Sequence, residues 1–123
     1  MDSASDRRSK LRIVVGPDVT IQFQVKQFAY KNIRITNLSA GGCFATLPRA
    51  QNHLFRQGTL LEHFRFENPD LESEPFMAKV SYVLGGGGGG GRGALELIGL
   101  GIHFVAMTPS VEEMLRQYVD ARA

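Results

Sequence analysis

The chain has 123 residues, of which 43% are hydrophobic and 21% charged, a composition that indicates one globular domain and excludes an intrinsically disordered chain. Its formal net charge of +2 is too small for a general nucleic-acid binder, in which a broad basic excess is expected. No apolar run reaches the roughly 18 residues of a membrane-spanning helix, and no export signal is visible. These features, with the single Cys43, predict a cytoplasmic protein without membrane insertion.

The N-terminal segment is basic and nearly free of apolar residues. Arg7, Arg8, Lys10 and Arg12 lie within six residues, and we expect residues 1–12 to form a flexible arm. The planar fork of arginine matches phosphate oxygens and the acceptor edge of guanine. The arm is therefore a candidate site for an anionic nucleotide, and a solvated basic tail is the alternative.

The middle of the chain consists of short segments in which apolar and polar residues alternate. They predict strands at 19–25, 31–36, 43–47, 59–67 and 76–84, and a strand pair or one long strand at 94–107. In the 76–84 strand, alternation places Tyr82 and Leu84 on the same face as Phe76, Ala78 and Val80. Six strands separated by turn signals indicate an antiparallel barrel or sandwich.

The C-terminal segment has the pattern of a helix, and residues 109–121 are predicted to form one. Ser110 followed by Glu113 is a capping-box pattern, and Pro109 suits the start of a helix. Apolar residues recur at helical spacing at Val111, Leu115, Tyr118 and Val119. We expect this apolar stripe to pack on the barrel or to plug one end of it, so that barrel and helix together form a domain of residues 13–123.

A run of glycines separates two strand patterns at residues 85–93. The run is expected to be a poorly ordered hairpin loop, because glycine loses the most backbone entropy on ordering. A phosphate-binding loop is not indicated, since Gly-Lys-Ser/Thr and a following helix are missing. A natural low-complexity loop and an engineered linker both fit the sequence.

A second candidate site is the segment NLSAGG. If the preceding strand continues to Ser39, the side chains of Asn37 and Ser39 point to the same face. The glycines that follow, which include Gly42, then permit a tight turn with positive φ and close approach of a ligand. An ordinary turn rich in Asn, Ser and Gly is the alternative.

No pattern indicates an enzyme. His53, His63 and His103 lack the spacing of metal ligands, and Ser39 lacks a GxSxG motif. Cys43 lies in an apolar strand pattern, and we expect a buried structural thiol. The sequence therefore predicts no catalytic residues, no metal and no cofactor.

The order and spacing of the two candidate sites resemble those of the PilZ family of cyclic di-GMP receptors. The RxxxR motif of that family is present as Arg8 and Arg12, with Arg7 before it. The (D/N)xSxxG motif is present as Asn37, Ser39 and Gly42. GLGIHF at 99–104 resembles the closing strand of the family, and the resemblance extends from about residue 6 to residue 120.

The resemblance implies an all-β fold, namely a six-stranded antiparallel β-barrel with a C-terminal helix. It implies that Arg8 and Arg12 bind guanine edges and phosphates of cyclic di-GMP, that Asn37 and Ser39 contact a guanine, and that Gly42 keeps the turn open. Arg7 directly precedes the RxxxR motif, and an arginine at this position implies a stacked pair of ligand molecules. The resemblance leaves the stoichiometry open.

The implied function is that of a bacterial signal-transduction adaptor. Ligand would close the arginine arm and change a surface that an effector protein recognises, and the output would be motility, biofilm or exopolysaccharide control. The alternative is a PilZ-like protein-interaction module that does not bind nucleotide. A small-barrel RNA binder is a third interpretation and would need Phe23, Phe64 and Phe66 as exposed stacking platforms.

Overall fold

The computed structural model of the protein describes residues 11–48, 55–85 and 97–123. The elements in chain order are β1 (Arg12–Val14), β2 (Thr20–Val25), β3 (Phe28–Ser39), β4 (Gly42–Pro48), β5 (Leu60–Phe66), a 3₁₀ helix (Pro69–Leu71), β6 (Phe76–Leu84), β7 (Leu97–Ala106) and α1 (Pro109–Arg122). The predicted strands are confirmed. The predicted 94–107 segment contributes a single strand, β7. Residues 94–96 of that segment lie outside the described part.

Six of the strands close into an antiparallel barrel. The strand order is β1-β3-β2-β5-β6-β7-β4, and a further pairing between β3 and β4 closes the ring. Strand β3 is long because its first part pairs with β2 and its last part pairs with both β4 and β1. The six-stranded barrel is therefore confirmed, with β1 as an extra strand on the outside of the ring.

Alternation along the strands fills the interior of the barrel with apolar side chains. Phe64 is fully buried and lies 5.2–6.2 Å, centroid to centroid, from the rings of Phe23, Phe66, Phe76 and Phe104. Aromatic pairs at such distances stabilise a core beyond the area that they bury. The rings of Phe23, Phe64 and Phe66 are all core residues, so they do not form the exposed platforms that the RNA-binding interpretation requires.

Strand β6 does not keep the alternation that its sequence predicts. Val80 pairs with Ile102 of β7, and Tyr82 pairs with Gly101, so Ser81 is an extra residue that forms a β-bulge. A bulge reverses the facing of every residue after it. Tyr82 is consequently 45% exposed and Leu84 53% exposed, and the prediction that they share the core face is wrong.

The C-terminal helix packs against β3, β1 and the 3₁₀ helix. All four residues of the predicted apolar stripe are buried. The cap differs from the prediction, because Oγ1 of Thr108 accepts the hydrogen bond from the Val111 amide over 3.3 Å. Thr108 is therefore the N-cap, Pro109 is the first helical residue, and Ser110 lies inside the first turn rather than before it. No helix of the described ranges has both the length and the apolar character needed to cross a bilayer.

The glycine run connects two neighbouring strands of the barrel. Strands β6 and β7 are antiparallel partners, and Leu84 lies opposite Gly99. Gly85, the first residue of the run, has a φ of +81° that favours glycine. The rest of the predicted loop lies outside the described residues.

The aromatic core gives a test of the fold. Phe64→Ala is expected to lower the free energy of unfolding by about 3–5 kcal/mol, because it removes a fully buried ring and leaves a cavity. Phe28→Ala removes a ring that is 47% exposed and should cost less than about 1 kcal/mol. Urea unfolding followed by circular dichroism measures both, and similar losses in the two variants would contradict this assignment of the core.

Candidate functional site

Two strands bring residues of the two sequence motifs together. Strand β1 pairs with the end of β3, so that Arg12 lies opposite Ser39 and Val14 lies opposite Asn37. Nη1 of Arg12 donates a hydrogen bond to Oδ1 of Asn37 over 3.1 Å, although 25 residues separate them. This bond uses one of the five N–H donors of the guanidinium, and the group remains exposed on the outer face of the barrel.

A β-bulge in β3 determines which side chains reach this outer face. The ladder to β4 skips Thr36, because Ile35 and Asn37 pair with consecutive residues of β4. Ile35 faces the core before the bulge, and Leu38 faces it after the bulge. Asn37 and Ser39 therefore lie on the outer side together with Arg12, which strict alternation from Ile35 would not produce.

The hydroxyl of Ser39 is engaged within the turn between β3 and β4. Its Oγ donates to the carbonyl oxygen of Gly42 over 3.2 Å and accepts from the amide of Gly41 over 3.3 Å. Ser39 is only 5% exposed, so these bonds satisfy a buried hydroxyl. The geometry assigns Ser39 a part in fixing the turn, and the ligand contact expected of it stays a prediction.

The two glycines of the turn differ from the sequence expectation. Neither Gly41 nor Gly42 has a positive φ, so the prediction of a left-handed turn is wrong. A Cβ on Gly42 would overlap the carbonyl oxygen of Ile102 in β7, whereas a Cβ on Gly41 would meet no atom within 4 Å. Gly42 is thus required by the close approach of β4 to β7.

A cleft of about 230 Å³ opens beside the contact between Arg12 and Asn37. It is lined by Arg12, Ser39, Gly41, Gly42, Cys43, Ser81, Tyr82, Gly101, Ile102 and His103. These residues come from β1, the end of β3, the β3–β4 turn, β4, β6 and β7. The cleft therefore lies where the extra strand meets the closed ring.

The charge of the cleft suits an anion. Arg12 is permanently charged, His103 adds a second basic side chain, and none of the described residues that line the cleft is acidic. Lys79 of β6 pairs with His103 of β7, which in turn pairs with Gly42 of β4. The basic side chains of Lys79 and His103 therefore lie next to each other on the outer face of the barrel. By contrast, a second cleft beside α1 is lined by the acidic residues Asp70 and Glu113.

Cys43 lines the cleft without offering a nucleophile. Its side chain is 2% exposed, and burial raises the pKa of the Cys43 thiol while the nearby Arg12 guanidinium lowers it by a smaller amount. The thiol therefore stays protonated near neutral pH, and only the thiolate is reactive. The expectation of a buried thiol is confirmed.

Ser81, Tyr82 and His103 are among the cleft residues that the sequence analysis did not assign to a site. Period-two alternation assigned Tyr82 to the core, because it cannot detect the bulge at Ser81. His103 lacks the spacing of a metal ligand, and only its pairing with Gly42 places it at the cleft. A signal was present in the glycines that alternate within GLGIHF, since a glycine in a strand often marks a close approach.

Two of the predicted site residues, Arg7 and Arg8, lie outside the described part of the chain. The predicted arm ends at Arg12, which is the first residue of β1. Within the described ranges, no group of three or more His, Cys, Asp or Glu residues could hold a metal ion.

The sequence and the fold both match one family. The sequence model of the PilZ domain matches residues 6–121. No curated protein sequence is significantly similar to the chain.

Several solved structures share the fold. The PilZ domain of YcgR from Escherichia coli, solved with c-di-GMP, has a TM-score of 0.66 at 18% identity, over 90% of this chain and 87% of that one. MrkH of K. pneumonia in its apo state has a TM-score of 0.72 at 12% identity, over 90% and 47%. The Bacillus subtilis inhibitor of motility, MotI/DgrA, has a TM-score of 0.68 at 18% identity, over 91% and 49%. The chain thus spans about half the length of the last two proteins.

Adjacent glycines of the turn provide a matched test of the site geometry. Gly42→Ala is expected to lower the free energy of unfolding by about 1–3 kcal/mol, because the new methyl group would overlap the Ile102 carbonyl of β7. Gly41→Ala should change it by less than about 0.5 kcal/mol, since its Cβ points into open space. Thermal and urea unfolding measure both, and equal effects would contradict the close approach of β4 and β7.

Proposed function

The chain belongs to the PilZ domain family, and on this basis we propose that it is a non-catalytic bacterial receptor for cyclic di-GMP. The observation that carries the proposal is the hydrogen bond between Arg12 and Asn37, which joins the two motifs at the edge of a cleft without acidic residues among its described lining. The c-di-GMP in the structure of the YcgR PilZ domain supports this choice of ligand.

The chemistry of the ligand matches the groups at the cleft. Cyclic di-GMP carries two phosphate charges and two guanines, so a receptor needs cations with planar donors and a few oriented hydrogen bonds. The Arg12 guanidinium keeps donors beyond the one that binds Asn37, and it can pair with phosphate or with the O6 and N7 atoms of guanine. The Asn37 amide supplies N–H donors beside it, and Ser39 holds the turn that positions both.

The arginine arm completes the proposed site. Arg7 and Arg8 precede Arg12 by five and four residues, so an ordered arm brings them within reach of a ligand bound at the cleft. Fixing the backbone of each residue costs about 1–2 kcal/mol, and Arg12 is already held in β1. Only the residues before it need to be ordered when ligand binds.

Closure of the arm gives the domain a way to signal. Ordering the basic segment over the barrel changes the shape and charge of the surface next to β1, and an effector protein can recognise that change. The Bacillus subtilis neighbour is named as an inhibitor of motility, which supports an output in motility control. Arg7, which precedes the RxxxR motif, suggests a stacked pair of ligand molecules by family resemblance, and the stoichiometry stays open.

Calorimetric titration with cyclic di-GMP tests the site assignment. We expect the wild type to bind and Arg8→Ala and Arg12→Ala each to weaken binding by more than about tenfold, the loss of one bidentate arginine contact. Arg65→Ala is the control, because Arg65 is exposed on β5 and does not line the cleft. Cyclic di-AMP, which lacks the guanine O6, should bind much more weakly.

The outcomes of this titration separate the alternatives. Equal affinities of the wild type and both arginine variants would contradict the site assignment. A folded wild type that binds no cyclic di-GMP would favour the interaction module that does not bind nucleotide. The molar ratio at saturation distinguishes one bound ligand from two.

Limited proteolysis tests closure of the arm. Trypsin cleaves after arginine and lysine, and residues 7–12 contain four such sites. Saturating cyclic di-GMP should slow cleavage at these sites several-fold, because an ordered segment fits a protease poorly. Mass spectrometry of the fragments reports each site separately, with cleavage after Arg92 as the internal reference. Unchanged cleavage of the arm in protein shown to be saturated would contradict closure.

A further inference from the structure

The bulge in β6 places an aromatic ring on the outer face of the barrel. Strand β6 gains Ser81 relative to β7, so that Tyr82 points away from the core and 45% of its surface is exposed. Bulges next to functional sites commonly re-aim a side chain. Both Ser81 and Tyr82 line the cleft that holds Arg12 and Ser39.

The ring of Tyr82 packs against Gly101 on the neighbouring strand β7. A Cβ on Gly101 would overlap Cε2 and Cζ of Tyr82, so the ring rests directly against the backbone of β7. The ring of Phe44 rests on Gly99 in the same way, and the two ring centroids are 6.3 Å apart. One face of Tyr82 is thus packed against the sheet, while the rest of the ring stays accessible.

We propose that Tyr82 is a base-stacking residue of the cleft, against which one guanine of the ligand lies while Arg12 binds its edge or phosphate. This inference deepens the proposed function and rests on it. Arginine forks and amide groups read the edges of a base, whereas the flat face of a purine needs a π surface. Tyr82 supplies such a surface within the same cleft.

The support of the ring favours stacking over a purely structural role. A tyrosine has only two side-chain torsions to fix, and the contacts with Gly101 and Phe44 already restrict them before ligand arrives. Such a pre-organised side chain loses little entropy on binding. A ring that only covered the glycine backbone would not have to lie beside the arginine and the motif serine.

Substitutions at Tyr82 separate the aromatic face from the hydroxyl. We expect Tyr82→Phe to bind cyclic di-GMP within about threefold of the wild type, because the π surface remains. Tyr82→Leu keeps an apolar cover on Gly101 but removes the flat ring, and its affinity should fall by about tenfold. The loss should persist at high salt, whereas the loss in Arg12→Ala should shrink, because salt screens exposed charges but not stacking.

A fluorescence experiment tests stacking directly. The chain contains no tryptophan, so Tyr82→Trp introduces a single indole at the cleft. Cyclic di-GMP should quench its emission, because a guanine stacked on an indole is an efficient quencher. Phe28→Trp is the matched control, since Phe28 is 47% exposed and does not line the cleft, and its emission should not change.

The outcomes distinguish this inference from the proposed function. If the wild type binds and Arg12→Ala does not, while Tyr82→Leu binds normally and Tyr82→Trp is not quenched, the stacking role is overturned and the receptor function stands. If the wild type fails to bind, the receptor function is overturned and the stacking role with it. Unfolding temperatures of each variant exclude a loss of fold, and Tyr82→Phe and Tyr82→Trp keep a ring on Gly101.

Discussion

The β-bulge at Thr36 is the constraint on which the site depends. A strand that alternates strictly would carry Asn37 and Ser39 on the core face of Ile35. The extra residue turns them outward and lets Leu38 fill the core instead. The pairing of β1 with the same stretch of β3 then brings Arg12 to the outer face. The bulge at Thr36 therefore allows the barrel interior to stay apolar while Arg12, Asn37 and Ser39 lie together on its outer face.

Patterns that depend on local periodicity were predictable from the sequence. The strands, the helix and its buried stripe follow from apolar spacing. The RxxxR and (D/N)xSxxG motifs were sufficient to indicate the family. The bulges were not predictable, because they depend on how many residues the partner strand presents, and that number is not encoded locally. The helix cap shows the same limit: Thr108 and Ser110 are both suitable residues, and only the position at which the helix begins selects Thr108. Arg7 and Arg8 lie outside the described residues, so their place in the site stays a prediction from family resemblance.

The glycines near the site are explained by close packing within the barrel rather than by the conformation of the turn. Gly42 admits the backbone of β7, and Gly99 and Gly101 admit the rings of Phe44 and Tyr82. In each case the absent methyl group allows a close approach, whereas freedom of φ is not used at Gly42. A motif glycine that looks like a feature of ligand binding is thus explained by packing between strands. Its substitution would disturb the cleft indirectly, through the distance between β4 and β7.

The position of β1 outside the ring has a consequence for local stability. Because the other six strands close the barrel without it, β1 can detach in a sub-global opening that leaves the barrel intact. It is held by three residue pairs with β3, by the hydrogen bond from Arg12 to Asn37, by contacts with α1 and by Ile13, which is 6% exposed and is the one core-facing side chain of the strand. The side chain at position 13 therefore contributes to how often β1 leaves the barrel surface. Natural variation at this single position would tune the lifetime of the attached state without altering any group that contacts the cleft.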